Sequence, residues 1–273
     1  MAVDTYALIT LAQLKTELGI TASTYDALLE DSIDRATGVI ESYTRRLLKS
    51  RRFYEWHNAG GQPTIPVRNN PITATYYIAY GNRLALTVSS TTSTDLAVVL
   101  SVDELSLKIT RRTSSGTDTT STFAWSSYDT ASDLVTVINA TSGLSAVLGT
   151  DCPSRWLRRV GGRDLKRSSV LLEYPDLGDL DAEIDHTRGL IYLRGDAPKK
   201  NAGIFIEYDG GYSTIPYDIE RAAILLATRY FTARNRDTAL GSQSIGDYSE
   251  SYVSGDALDL EVRTLLSPYR RLR

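Results

Sequence analysis

The side chains able to do acid–base, metal or nucleophilic chemistry are few and scattered. The sequence holds two histidines, His57 and His186, and one cysteine, Cys152. A histidine-ligated metal or a Ser-His-Asp triad would have to use one of those histidines. His186 stands beside Asp185 in the turn sequence Asp185-His186-Thr187-Arg188-Gly189 and reads as surface. His57 follows Trp56 where a strand runs into a turn, and reads as structural. Carboxylates gather twice: Glu30, Asp31 and Asp34 on one helix, and Asp176, Asp179, Asp181 and Asp185 in one loop. Paired carboxylates can bind Mg²⁺ or act as acid and base. A solvated helix start and a solvated loop account for both groups more simply. No Walker A loop and no G-x-G-x-x-G occurs. These residues call for no enzyme, no metal and no cofactor.

Two basic clusters remain. Arg45, Arg46, Lys49, Arg51 and Arg52 fall within eight positions, and Arg155, Arg158, Arg159, Arg163, Lys166 and Arg167 add a second group. Either could neutralise DNA phosphates, and Phe53, Tyr54 and Trp56 beside the first could stack on bases. Pairing at a helix C-terminus and a solvated face explain the same pattern, and the sequence favours that plainer reading.

Composition narrows the class further. With 273 residues and 42% hydrophobic content the chain can bury a real core in one or two domains. A net charge of −3 gives no global attraction to nucleic acid or membrane. A single cysteine precludes an intrachain disulfide and fits a reducing compartment. No apolar run is long enough for a membrane-spanning helix, and the N-terminus lacks the pattern of a signal peptide. The expectation is therefore a chain made and kept in a cytoplasm. Tyrosine outnumbers phenylalanine 17 to 4, which suits half-buried strands and subunit interfaces alike.

The elements that would position these groups can be read in order. Thr10 and Gln13 form a capping box before a helix over 11–18, with Gly19 as its C-terminal stop. Leu29, Ile33, Ala36, Ile40, Tyr43 and Leu47 repeat at helical spacing, predicting a helix over about 25–48, roughly 36 Å long. Its acids come first and Arg45, Arg46 and Lys49 last, as the helix dipole prefers. Strand-type runs follow at 51–67, 72–80, 83–88, 96–100 and 105–109. Thr110 to Thr122 is so rich in Ser and Thr that it reads as a mobile loop or hairpin tip. A short helix over 129–139 and a strand over 143–149 complete a β-β-α-β unit. The runs 170–174, 184–193 and 204–208 read as one antiparallel sheet. Gly210-Gly211 ends the last of them, and Pro216 opens a helix bearing Ile219, Ala223, Leu226 and Tyr230 on one face. A polar Gly/Ser-rich stretch, 235–255, leads to a final helix ended by Pro268.

The fold class expected is α+β. A helical bundle core would be formed by residues 1–52 and 212–273, with a large β-rich insertion over 53–211 and a sub-unit at about 81–169.

Three stretches resemble the head–tail connector (adaptor) proteins of long-tailed bacteriophages and related gene transfer agents. The first is ITLAQLKTELGI followed by TYDALLEDSIDRATGVIESYTRRLL. The second is TRGLIYL followed by IFIEYDGGYSTIPYDIERAAILLATRYF. The third is SIGDYSESY followed by EVRTLLSPYRR. The long middle, about 81–169, departs from the compact members of that family. The resemblance implies a non-enzymatic virion protein in the neck, assembled in the host cytoplasm. It implies a dodecameric ring of this chain beneath the portal protein, linked to a head-completion, stopper or tail protein. Double-stranded DNA would pass through the lumen without sequence recognition, and no membrane is involved. The C-terminal arm, with Ile245, Gly246, Tyr248, Tyr252, Leu265, Leu266, Tyr269, Arg270 and Arg271, would dock on the portal. Arg45, Arg46, Lys49, Arg51 and Arg52 are the candidates to face passing DNA. Two competing classes are a nucleic-acid-binding or processing protein that uses the basic clusters, and another phage head-completion or tail protein.

Overall fold

The structure is a computed structural model, and it describes residues 4–58, 62–176, 181–194, 203–233, 242–245, 248–251 and 260–271. The chain divides into two compact units. One comprises residues 1–51, 68–73 and 210–273, and the other 52–67 and 74–209.

The first unit contains helices α1 (Leu11–Leu18), α2 (Asp26–Thr44), α4 (Tyr217–Ala233) and α5 (Leu260–Leu266). The Thr10 hydroxyl accepts from the Gln13 N–H, Gln13 reaches back to the Thr10 N–H, and Gly19 closes α1 in the left-handed conformation. Both helix ends thus satisfy backbone groups that would otherwise be orphaned. Along α2, Leu29, Ile33, Ala36 and Ile40 are fully buried, and they share a core with Ile219, Ala222, Ala223 and Leu226 of α4. The alanines let the helix backbones approach, while each buried Leu or Ile contributes about 1.5–3 kcal/mol. Leu14 of α1, and Val262 and Leu266 of α5, complete that core. Strands β14 (Ser242–Ile245) and β15 (Tyr248–Ser251) pair antiparallel between α4 and α5 in the sequence.

The second unit is built of strands: β1 (Arg51–Asn58), β2 (Thr64–Pro66), β3 (Ile72–Tyr80), β4 (Arg83–Ser90), β5 (Ala97–Val102), β6 (Ser106–Arg112) and β7 (Asp118–Ala124), then β8 (Leu144–Leu148), β9 (Val160–Asp164), β10 (Val170–Tyr174), β11 (Ala182–Asp185), β12 (Leu190–Leu193) and β13 (Gly203–Gly210). Helix α3 (Ala131–Ala140) lies between β7 and β8 in sequence, with its own capping box from Thr130 and Asp133. The sheets run β7-β6-β5-β9, β10-β4-β8, β11-β12-β2 and β1-β13-β3. Inward residues of the first two sheets, such as Leu86, Leu100, Leu107 and Ile109, pack with Leu134 and Ile138 of α3. Central strand β13 is buried along nearly its whole length, as a strand flanked on both edges and covered on both faces should be.

The helical-bundle expectation is corrected. The protein is α+β, but strand at 37% exceeds helix at 30%, in several antiparallel sheets with five short helices among the described residues. Two physical causes stand out. Helix α2 stops at Thr44, because Arg45 turns into the left-handed region at φ 56° and its N–H returns to the Glu41 carbonyl. Arg45, Arg46 and Lys49 therefore lie beyond the helix and not on its last turn. The Ser/Thr-rich stretch read as a mobile loop or hairpin tip is mostly paired strand of the hairpin β6–β7, in which the Thr110 and Thr120 hydroxyls meet at 3.0 Å. Threonine is β-branched and favours a pleated, half-exposed surface. The runs read as one antiparallel sheet fall into three: β10 pairs with β4, β11 with β12, and β13 lies between β1 and β3.

Candidate interface: a basic groove at the end of the second helix

Past Thr44 the chain makes a left-handed turn and the first basic cluster separates by function. Arg46 is buried, at 9% exposure. Its guanidinium donates to the carbonyls of Asn70 and Tyr269, and stands 5.9 Å from the Tyr212 ring. The Lys49 ammonium donates to the Ala7 carbonyl at 3.1 Å. Arg51 pairs with Glu41 at 3.1 Å and stacks 3.9 Å from the Tyr6 ring. In the second unit, Arg52 pairs with Asp209 at 3.0 Å and Glu207 at 3.3 Å, and lies 3.6 Å from the Tyr76 ring. The hydrogen bond from Arg52 holds the Asp209 carboxyl below its ordinary range. Four of the five cations thus hold the chain's own structure. Arg45 is exposed and, unlike the other four, has no partner among the described residues.

Arg45 opens onto a groove of about 400 Å³. Glu41, Ser42, Arg46 and Leu47 form one side, and Arg68, Asn69 and Arg271 the other. The Asn69 side-chain oxygen accepts from the Leu47 N–H at 3.0 Å, fixing the wall. Arg271 is tied in by its backbone, donating to the Thr44 carbonyl at 3.0 Å, while its guanidinium donates to the Arg68 carbonyl at 2.9 Å. The lining therefore carries four arginines against one carboxylate. That carboxylate, Glu41, is already committed: burial raises its pKa, while the Leu48 N–H and Arg51 hold its charged form. The Arg46 Nε is buried without a hydrogen-bond partner. Such a groove can bind anions, since arginine forks match carboxylate and phosphate geometry.

The other nominated residues are placed as follows. Ile245 ends β14 and Tyr248 begins β15, where their backbones are paired. Gly246 and Tyr252 lie outside the described residues, as do Asp179 and most of the polar stretch 235–255. Leu266 is buried, and Leu265 and Tyr269 are packed on the helical core. Arg270 stands 5.4 Å from the Tyr43 ring. The carboxylates do not converge: Asp31 pairs with Arg35 at 3.0 Å, Asp34 accepts from the Asp4 N–H, and Asp176 pairs with Arg83 at 3.0 Å. Among the described residues no group of three or more His, Cys, Asp or Glu side chains could hold a metal ion. His57 lies 2.8 Å from Glu55, and His186 sits in the β11–β12 turn. The second basic cluster is dispersed into pairs, Arg158–Glu173 at 3.4 Å and Arg159–Glu104 at 2.6 Å among them. Sequence reasoning missed Arg68 as a groove residue. The Asn69-Asn70-Pro71 turn beside it was visible, but no local signal brings residue 68 to residue 45.

Residues 8–111 match the family model of the phage gp6-like head-tail connector protein. Residues 178–272 match that of the head completion protein. No curated protein matches the sequence. Among solved structures, the chain is similar to one from the neck of an empty GTA particle computed with C6 symmetry, at 18% identity and a TM-score of 0.42, covering 100% of this chain and 94% of that one. It is also similar to one from the neck of a native GTA particle computed with C12 symmetry, at 17% identity and a TM-score of 0.42, covering 100% and 93%. One end of the chain carries connector sequence and the other head-completion sequence. The chain is thus similar to phage gp6-like head-tail connector proteins over its first part and to head completion proteins over its last.

Proposed function

We propose that identical copies of this chain close into a dodecameric ring beneath the portal, forming the platform for a head-completion, stopper or tail protein. The observation that carries this reading is the pair of family matches, connector over 8–111 and head completion over 178–272. Its work is assembly, with no bond made or broken. Double-stranded DNA passes through the lumen by non-specific contact. Four of the five cations nominated for that lumen are engaged within the chain, so the contact does not fall to that cluster as a whole.

The portal-docking arm also contracts. Leu265, Leu266 and Tyr269 serve the core of the first unit, so the docking part of the arm is 242–259, with Ile245, Gly246, Tyr248 and Tyr252. The test is incubation of the purified chain with purified portal rings, followed by pull-down and electron microscopy. Rings of this chain seated on the portal are expected, and replacing 242–259 by a Gly/Ser linker should abolish seating while the circular dichroism spectrum is kept. A chain that stays monomeric and ignores the portal overturns the reading.

A further inference from the structure

We infer that the groove walled by Arg45, Arg68 and Arg271 receives the acidic 237–259 segment of a neighbouring copy. This rests on the ring reading above and names a contact between its subunits. The charges on the two surfaces are complementary. Between Arg236 and Leu260 the chain has five carboxylates, at Asp237, Asp247, Glu250, Asp256 and Asp259, and no Lys or Arg. The groove has four arginines and one carboxylate, and that carboxylate is already paired with Arg51.

A second observation points to a missing ligand. Arg46 lines the groove at 9% exposure, and its Nε has no hydrogen-bond partner. A buried unpaired donor is costly unless a further acceptor arrives. Arg45 likewise has no partner among the described residues, and Arg271 donates only to backbone carbonyls.

An acidic chain segment fits better than nucleic acid. A groove of about 400 Å³ admits a few side chains, not a duplex. The net charge of −3 gives the molecule no general attraction to DNA. A groove on one copy and an acidic segment on the next also make a head-to-tail contact, the kind that generates rings when the rotation closes. The carboxylates serve this contact, while Ile245, Tyr248 and Tyr252 remain for the portal.

A fluorescein-labelled synthetic peptide spanning 242–259 tests the contact with the full-length chain. Fluorescence anisotropy should show binding that weakens as salt rises. The R45E/R68E/R271E variant should bind at least about ten-fold more weakly, the loss expected from removing a charge-assisted contact worth about 1.4 kcal/mol. A peptide with its acids changed to lysine should bind that variant and not the wild type. This charge swap separates a direct contact from a misfolded groove. Equal binding by wild type and variant overturns the inference, as does preferential retention of a short DNA duplex by the same three arginines. If the variant still forms portal-bound rings, the inference falls and the ring reading stands. If the peptide binds as expected but no rings form with any chain, the ring reading falls and the groove assignment stands.

Discussion

The Tyr208 hydroxyl donates a 2.6 Å hydrogen bond to the Glu55 carboxylate, and both side chains are buried. Glu55 uses its other oxygen toward His57 at 2.8 Å. A buried carboxylate that loses a donor keeps its desolvation cost, so Tyr208→Phe should destabilise the protein by about 1–3 kcal/mol. Urea denaturation would measure this as a lower midpoint at unchanged slope. An unchanged midpoint would mean that water replaces the hydroxyl.

Arg45 and Arg46 are adjacent but should respond in opposite directions. Arg46→Ala leaves the Asn70 and Tyr269 carbonyls without their donor, an expected loss of about 1–3 kcal/mol. Arg45 sits at φ 56°, where glycine is unstrained, so Arg45→Gly should stabilise by about 0.5–1 kcal/mol. Thermal melts of the two variants beside wild type decide between this division and a uniform basic patch, which would give two small shifts of the same sign.

Gly211 adopts φ 99°, and a Cβ there would stand 2.8 Å from the Leu48 carbonyl oxygen. Neither the backbone angle nor the contact leaves room for a side chain. Gly211→Ala should therefore cost about 1–3 kcal/mol, read from a denaturant midpoint. A neutral result would show that the turn can shift away from Leu48.

Asp103 closes the turn between β5 and β6. It accepts from the Leu105 and Ser106 N–H groups at 2.9 and 2.7 Å, and from the Lys108 ammonium at 2.7 Å. Burial pushes its pKa up, but Lys108 and the two backbone donors outweigh it and bring the value to about 2. The unfolded chain, with an ordinary value of 3.8, then takes up this proton first as pH falls. The stabilisation is present above the ordinary value and is lost as pH drops toward about 2. With the side chain 43% exposed, solvent screening limits the contribution to about 1 kcal/mol. Asp103→Asn should remove that amount near neutrality and flatten the acid limb of the stability curve. An acid limb identical to wild type would assign the acid sensitivity to other carboxylates.

Sequence was most informative where the signal is local. The Thr10–Gln13 capping box and Gly19 placed α1 at Leu11–Leu18. The buried faces of α2 and α4 were visible as spacing, because each is a periodic run. The end of α2 was hidden, since Arg45 adopts a left-handed conformation that residue type alone does not announce. The extent of pairing in hairpin β6–β7 was hidden for the opposite reason: serine and threonine are common both in loops and on exposed sheet faces. Sheet membership of β10, β12 and β13 was not legible, because strand pairing is chosen by distant segments. The groove failed on the same ground: Arg45, Arg68 and Arg271 come from three separate parts of the sequence.

The interrupted path of the first unit has a consequence for synthesis. About 170 residues separate the end of α2 from the start of α4. At roughly 5–20 residues per second, α2 emerges from a ribosome roughly 10–35 s before the helix that covers it. Over that time Leu29, Ile33 and Ile40 lack their partners from α4, while the strands of the second unit are completed by Asp209 and can already pair. Long-range closure is slow and leaves apolar surface exposed. Nascent chains stalled before Tyr217 should therefore engage chaperones through α2, and their release should wait for the C-terminal segment.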